Sequence, residues 1–298
     1  MKTESQLIEI ETVKPKIVVY TDISYSQPYD PYFGITNLKL DILKPEVENK
    51  KLPLVIYIPG GGFMRSPKAN YIQQKVTIAE SGFIVASVEY RVLPIGKFPD
   101  ALIDIKSAIR YLKAHAEQFN IDKNKVIVMG ESAGGYLAAI TGTTNGYIDF
   151  DEGDYLNENS LVCGVVDLYG ISDLTKIAAD FSSVIQKTHN SPSSPEAIFL
   201  NGVSVFKEGG AVNADFENAK RANPITYISS KTPPFLLMHG TVDMLVSPSQ
   251  SDLLYQSLIE NNIQAERYLI KGAGHGDFHW CQPKVINIII NFLNKILK

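Results

Sequence analysis

Val126-Ile127-Val128-Met129-Gly130-Glu131-Ser132-Ala133-Gly134-Gly135-Tyr136-Leu137-Ala138-Ala139 is the stretch on which the reading of this chain turns. Its four leading apolar residues predict a buried parallel strand, and the Ala, Leu and Tyr residues beyond the glycines predict the start of a helix. Between them, Gly130-x-Ser132-x-Gly134 has the form of a nucleophile elbow. Such a turn holds a serine hydroxyl clear of the backbone only if the serine adopts a strained conformation. Its neighbours at 130 and 134 must then lack Cβ atoms, which would collide with the adjacent strand and helix. The turn also sets Ser132 and the Ala133 amide at a helix N-terminus, where partial positive charge favours a developing oxyanion. In a chain with 21 glycines the pattern alone recurs by chance. A strand before it and a helix after it give it weight.

Outward from this stretch, strand and helix signals alternate. Leu54–Ile58 is a continuous apolar run ending at Pro59-Gly60-Gly61-Gly62-Phe63, and Phe83–Tyr90 is a second strand after a helical 70–80. Asp100–Phe119 reads as one amphipathic helix with Leu102, Ile105, Ile109 and Leu112 on its stripe. Further strands are expected at Leu161–Tyr169, Pro234–Gly240 and Ala265–Ile270, and further helices at about Ser247–Asn261 and Val285–Leu297. Residues 16–26 and 37–44 alternate as an antiparallel pair around a loop with Pro28, Pro31 and Gly34. The order from residue 54 onward predicts an α/β fold, a mostly parallel twisted sheet with helices on both faces. Residues 1–298 read as a single domain interrupted at 172–222 by two Ser-Pro steps and a Glu-Gly-Gly turn. Because that segment follows a strand's carboxyl end, where open α/β sheets bind ligands, it is expected to be a lid.

Composition narrows the partners. With 298 residues and 45% hydrophobic content, the chain can bury a large core. A net charge of −4 gives no basic footprint for nucleic acid, and no run of 18 apolar residues suggests a membrane span. The start, Met1 to Glu9, lacks the apolar core of a signal peptide. Two cysteines, Cys163 and Cys281, are too few for a disulfide framework, and Cys163 is expected to stay reduced. A cytoplasmic protein follows. No His/Cys cluster has ligand spacing, so neither metal nor cofactor is expected.

A serine nucleophile needs a base, an orienting acid and oxyanion donors. Among five histidines, His275 is flanked by Gly274 and Gly276 in the loop after the last strand, free to turn toward the serine. His115 lies on a helix, His189 in the expected lid, His239 at a strand end in a structural position, and His279 lacks the glycine setting. Asp243, in Gly240-Thr241-Val242-Asp243, follows its strand by a tight turn and completes the order serine, acid, histidine. Asp167 and Asp173 are its rivals. Gly60-Gly61-Gly62 lets backbone approach a substrate without Cβ atoms, so Gly61 and Gly62 join Ala133 as oxyanion donors. A phosphate cradle would need GxGxxG spacing or a Gly-Lys-Ser/Thr ending, which is absent. Phe63, Tyr169, Phe278 and Trp280 are candidates to line a pocket.

The chain resembles α/β-hydrolase carboxylesterases of the hormone-sensitive-lipase-like and feruloyl/acetyl-xylan-esterase-like kind. The resemblance is carried by Gly60-Gly61-Gly62-Phe63, Tyr90-Arg91-Val92-Leu93-Pro94, Gly130-Glu131-Ser132-Ala133-Gly134-Gly135, His239-Gly240-Thr241-Val242-Asp243 and Gly274-His275-Gly276. It implies the α/β-hydrolase fold, with Ser132 as nucleophile, His275 as base, Asp243 as acid, and Gly61, Gly62 and Ala133 as the oxyanion hole. The implied substrate is a small ester with a short or aromatic acyl group; a homodimer is left open. Two alternatives remain: an amidase or peptidase on the same triad, and a non-catalytic binding protein of the kind found among plant hormone receptors. One departure is Pro59, where such proteins usually carry a histidine that braces the loop; proline removes a donor there.

Overall fold

The computed structural model describes residues 5–48, 50–206 and 208–298. Residues 1–4 of the chain start, and Lys207 within the 172–222 segment, lie outside the described residues. Two antiparallel strands, β1 (Ile17–Ser26) and β4 (Leu38–Pro45), flank a short hairpin of β2 (Tyr29–Asp30) and β3 (Gly34–Ile35). Then follow β5 (Leu52–Ile58), α1 (Ile72–Glu80), β6 (Ile84–Val88), α2 (Asp100–Ala114), α3 (Ala116–Phe119), β7 (Ile121–Glu131), α4 (Ala133–Thr143) and β8 (Gly164–Leu168). Three short helices come next: α5 (Ser183–His189), α6 (Pro195–Asn201) and α7 (Phe216–Arg221). The chain closes with β9 (Phe235–Gly240), α8 (Ser249–Glu260), β10 (Ala265–Ile270) and α9 (Pro283–Ile296).

The eight-stranded sheet has the order β1-β4-β6-β5-β7-β8-β9-β10; only the pairs β1–β4 and β4–β6 are antiparallel. Period-two alternation explains its two cores. Leu54, Ile56 and Ile58 of β5 join Val126 and Val128 of β7 against α2, α4 and α8. Val55, Tyr57, Ile127 and Met129 face α1 and α9. The last helix shows why the sequence pattern works: Val285, Ile289, Phe292 and Leu293 recur at helical spacing and are all buried. This is the mostly parallel sheet with helices on both faces that the alternation predicts.

One expected element differs. The helix read from Asp100 to Phe119 ends at Ala114, turns at His115 and resumes as the single-turn α3. Its polar face is also covered. Lys106, Arg110 and Lys113 are buried under residues 144–161, where Lys106 Nζ reaches Ser160 Oγ at 3.2 Å, Arg110 pairs with Asp151 at 2.8 Å, and Lys113 Nζ donates to the Leu161 carbonyl at 2.7 Å. A polar stripe that predicts solvent is here satisfied by a loop. Among the described residues, no helix is long and apolar enough to cross a membrane.

Candidate active site

Register gathers the site at the carboxyl ends of the parallel strands. Ile58 pairs with Gly130, which places the run beginning at Pro59 directly beside the elbow. Ser132 sits at φ 55°, ψ −122°, held by its own amide donating to the Leu168 carbonyl at 2.9 Å and by Tyr136 N donating to its carbonyl at 3.0 Å. A non-glycine residue held there carries roughly 1–3 kcal/mol of strain. The glycines are required as expected. A Cβ on Gly130 would lie 2.1 Å from the Gly134 carbonyl oxygen, and one on Gly134 would lie 2.0 Å from that of Ile58.

Three of the candidates converge. His275 Nε2 lies 2.8 Å from Ser132 Oγ, and His275 Nδ1 lies 2.7 Å from Asp243 Oδ2. With Nδ1–H donated to the carboxylate, Nε2 presents its lone pair to the serine hydroxyl. Asp243 Oδ1 accepts from the amides of Leu245 and Val246 at 2.8 and 3.0 Å, which fixes the carboxylate plane. Burial pushes this carboxyl up, but hydrogen bonds from His239 and His275, with the Val246 amide, outweigh it and hold Asp243 well below the usual carboxylate range. The His275 loop is fixed in turn: Gly274 N donates to Asp277 Oδ2 at 2.6 Å, Trp280 Nε1 donates to the Gly274 carbonyl at 3.0 Å, and the Tyr169 ring meets the imidazole edge-on at 4.8 Å.

The other histidines and acids are engaged elsewhere. His115 Nδ1 bonds the Tyr111 carbonyl, His189 pairs with Glu196, and His279 pairs with Asp277 at 2.8 Å. Asp167 accepts from Gly170 N at 2.8 Å, and Asp173 caps the turn at Thr175. His239 has more to do than a structural strand end suggests. Its Nε2–H donates to the Val246 carbonyl at 3.0 Å and lies 3.3 Å from Asp243 Oδ2, the same oxygen that faces His275.

Gly61 and Gly62 line the same recess as Ser132, with Gly62 at φ 61°, a left-handed conformation that suits glycine. Among the described residues, no acceptor engages the amides of Gly61, Gly62 or Ala133. The brace that Pro59 cannot supply comes from two side chains the sequence reading passed over. Glu131 Oε1 accepts from Gly60 N at 2.7 Å, and Tyr90 Oη donates to the Pro59 carbonyl at 2.8 Å. Both lie inside quoted motifs. A charged residue closing an apolar strand was the signal for Glu131.

Two cavities meet at Ser132. The larger, ≈ 730 Å³, is lined by Tyr71, Gln73, Glu131, Tyr169, His275 and Phe278 among others. The smaller, ≈ 440 Å³, is lined by Phe63, Ala133, Ile171, Ile177, Val246 and residues of α5, α6 and their junction. The four pocket candidates therefore separate. Phe63 is buried, stacked on Phe199 at 4.0 Å, and faces the smaller cavity. Tyr169 is buried with its hydroxyl 2.8 Å from that of Tyr71, and Phe278 is 72% exposed at the mouth; both face the larger cavity. Trp280 is core.

An open, mostly parallel sheet with an elbow after β7, an aspartate after β9 and a histidine after β10 has the α/β-hydrolase fold. Residues 40–258 match the BD-FAE family, and the chain belongs to it. It is similar to esterase LipC of Mycobacterium tuberculosis, 28% identical over 238 residues that cover 78% of this chain and 55% of that protein. The chain spans about half the length of the curated relatives it matches. Among solved structures, a truncated form of a carbohydrate esterase from gut microbiota superposes with a TM-score of 0.80 at 24% identity, covering 96% of this chain and 98% of that one. A bifunctional GH43-CE protein of Bacteroides eggerthii superposes with a TM-score of 0.81 at 26% identity, covering 94% of this chain and 35% of that one.

Proposed function

We propose that the chain is a serine carboxylesterase that hydrolyses small esters, with short or aromatic acyl groups, through Ser132, His275 and Asp243. The observation that carries this is the imidazole bridging hydroxyl and carboxylate at 2.8 and 2.7 Å. Membership of a family whose similar proteins include an esterase supports it.

In the first step His275 Nε2 takes the Ser132 proton as Oγ bonds to the carbonyl carbon, and the carbonyl π pair moves onto oxygen. The amides of Gly61, Gly62 and Ala133 hold that charge. Collapse breaks the carbon–alkoxy bond, and the alkoxide leaves with the proton from Nε2. Water, deprotonated by the same nitrogen, then releases the acid and restores Ser132. The leaving oxygen must be within reach of His275, which lines the larger cavity and not the smaller. The alcohol therefore lies in the larger cavity and the acyl group in the smaller. In this reading residues 172–222 act as the lid, since α5, α6 and their junction wall the acyl side.

Ser132→Ala tests the assignment. Turnover of p-nitrophenyl acetate should fall roughly 10⁴-fold or more, and a serine-directed phosphonate should add its mass to the wild-type chain but not to the variant. Near-normal hydrolysis by Ser132→Ala would refute it.

A further inference from the structure

The acyl cavity does not end against solid protein. Ile177 and His189 line both it and a separate hollow of ≈ 270 Å³, whose lining does not include Ser132. Ile177 belongs to the apolar core. His189 is buried at the end of α5, after Gln186, Lys187 and Thr188, and two contacts hold it. Its ring Nδ1 is hydrogen-bonded to Glu196 Oε1, and both side chains are buried. Its carbonyl accepts from Ser194 Oγ at 3.0 Å, and the same Oγ caps α6 by accepting from Ala197 N at 3.2 Å.

Helix α6 is in turn tied to the oxyanion loop. Phe199 stacks on Phe63, the residue after the glycine run, and its carbonyl accepts from Phe98 N at 2.8 Å. Through Glu196 and Ser194 the imidazole is thus set at a fixed place relative to Ser132. An acyl chain that reached it would meet a wall and would also strip solvent or partners from a buried polar pair, which opposes binding further.

We propose that His189, clamped by Glu196, is the partition that sets the longest acyl chain this site accepts. The proposal rests on reading Ser132 as the nucleophile and the smaller cavity as the acyl side. Removing the imidazole joins the two hollows into one channel. Releasing it by removing Glu196 lets it swing out of the way. Glutamine at 196 keeps an oxygen to accept from Nδ1–H, so the wall stands.

The test measures the rate of Ser132 labelling by p-nitrophenyl alkylphosphonates of rising chain length, read by intact mass, and KM and kcat on the matching p-nitrophenyl esters. In His189→Ala the longest chain that reacts efficiently should lengthen by several carbons, each gaining roughly fourfold over wild type beyond the wild-type limit. The gain should sit in KM, because tail contacts bind ground and transition states alike. Glu196→Ala should shift the limit the same way, and Glu196→Gln should not. A His189→Ala profile superimposable on wild type overturns the partition, as does Glu196→Gln shifting as far as Glu196→Ala. The two Glu196 variants decide the matter if His189→Ala fails to fold. Wild type unlabelled at every chain length would overturn the Ser132 reading, and the partition with it; labelling with an unmoved limit overturns the partition alone.

Discussion

Replacing Glu131 separates a brace from a charge. Its Oε1 accepts from Gly60 N at 2.7 Å, and it is 5% exposed. A Cβ at Gly60 would lie 2.3 Å from its other oxygen, so the carboxyl is packed directly against the loop that presents Gly61 and Gly62. In Glu131→Ala the Gly60 amide loses its acceptor and the loop loses one of two supports, leaving the Tyr90 bond to Pro59. One misplaced oxyanion donor costs about 10²-fold in kcat, with KM less affected, since the donors act on charge present only in the transition state. Glu131→Gln keeps the acceptor and should stay within about tenfold of wild type. Burial raises the Glu131 carboxyl to about 7, only partly opposed by the Gly60 amide, an Asn70 hydrogen bond and the charges of His275 and Lys75. The folded state therefore holds this proton more tightly than the unfolded chain. Its stabilising contribution is complete below the ordinary glutamate range and is lost as pH rises through about 7. Glutamine does not ionise, so Glu131→Gln should gain on wild type between pH 5 and pH 8, by roughly 3 kcal/mol at most. Steady-state kinetics on p-nitrophenyl acetate and denaturant melts at both pH values read the two effects. Wild-type kcat in Glu131→Ala, or an equal fall in Glu131→Gln, would refute the brace.

Three other substitutions probe separate parts of the molecule. Asp243→Asn should lower kcat/KM on p-nitrophenyl acetate by about 10⁴-fold, because an amide no longer selects the His275 tautomer that faces Ser132; a fall below tenfold would contradict the orienting role. Gly134→Ala sets a Cβ 2.0 Å from the Ile58 carbonyl oxygen, backbone that cannot step aside, and should cost about 3 kcal/mol or more in a urea melt. A midpoint equal to wild type counts against the elbow packing. Asp167, pushed up to about 7 by burial against the pull of the Gly170 amide, also binds its proton more tightly when folded. Asp167→Asn should therefore match wild type in stability near pH 4 and exceed it at pH 8, by up to about 4 kcal/mol; the same difference at both pH values would disprove this.

Much of the site is local and so is written plainly in the chain. The elbow is a strand, a turn and a helix within 14 residues, and the glycines that permit it are its own neighbours. The glycine setting of His275 and the tight turn before Asp243 are equally local, and these three side chains do meet. The helix break at His115 and the burial of Lys106, Arg110 and Lys113 were not legible, because the loop that covers them is distant in sequence. His239 beside Asp243 and Glu131 beneath Gly60 escaped for a related reason. Each matters through what its side chain touches across a turn or a sheet.

By itself the sequence determined the periodicities, hence a parallel sheet with two apolar faces, and the residue types able to carry acyl transfer. Tertiary structure alone decided the distances: strand order puts β5 next to β7, and register sets Ile58 against Gly130, so the Gly60-Gly61-Gly62 loop lies beside Ser132. The same packing divides the space around Ser132 into two cavities and sets His189 in the wall of one. Short-range geometry follows from neighbouring residues, whereas the meeting of side chains more than a hundred residues apart follows from how the whole core closes.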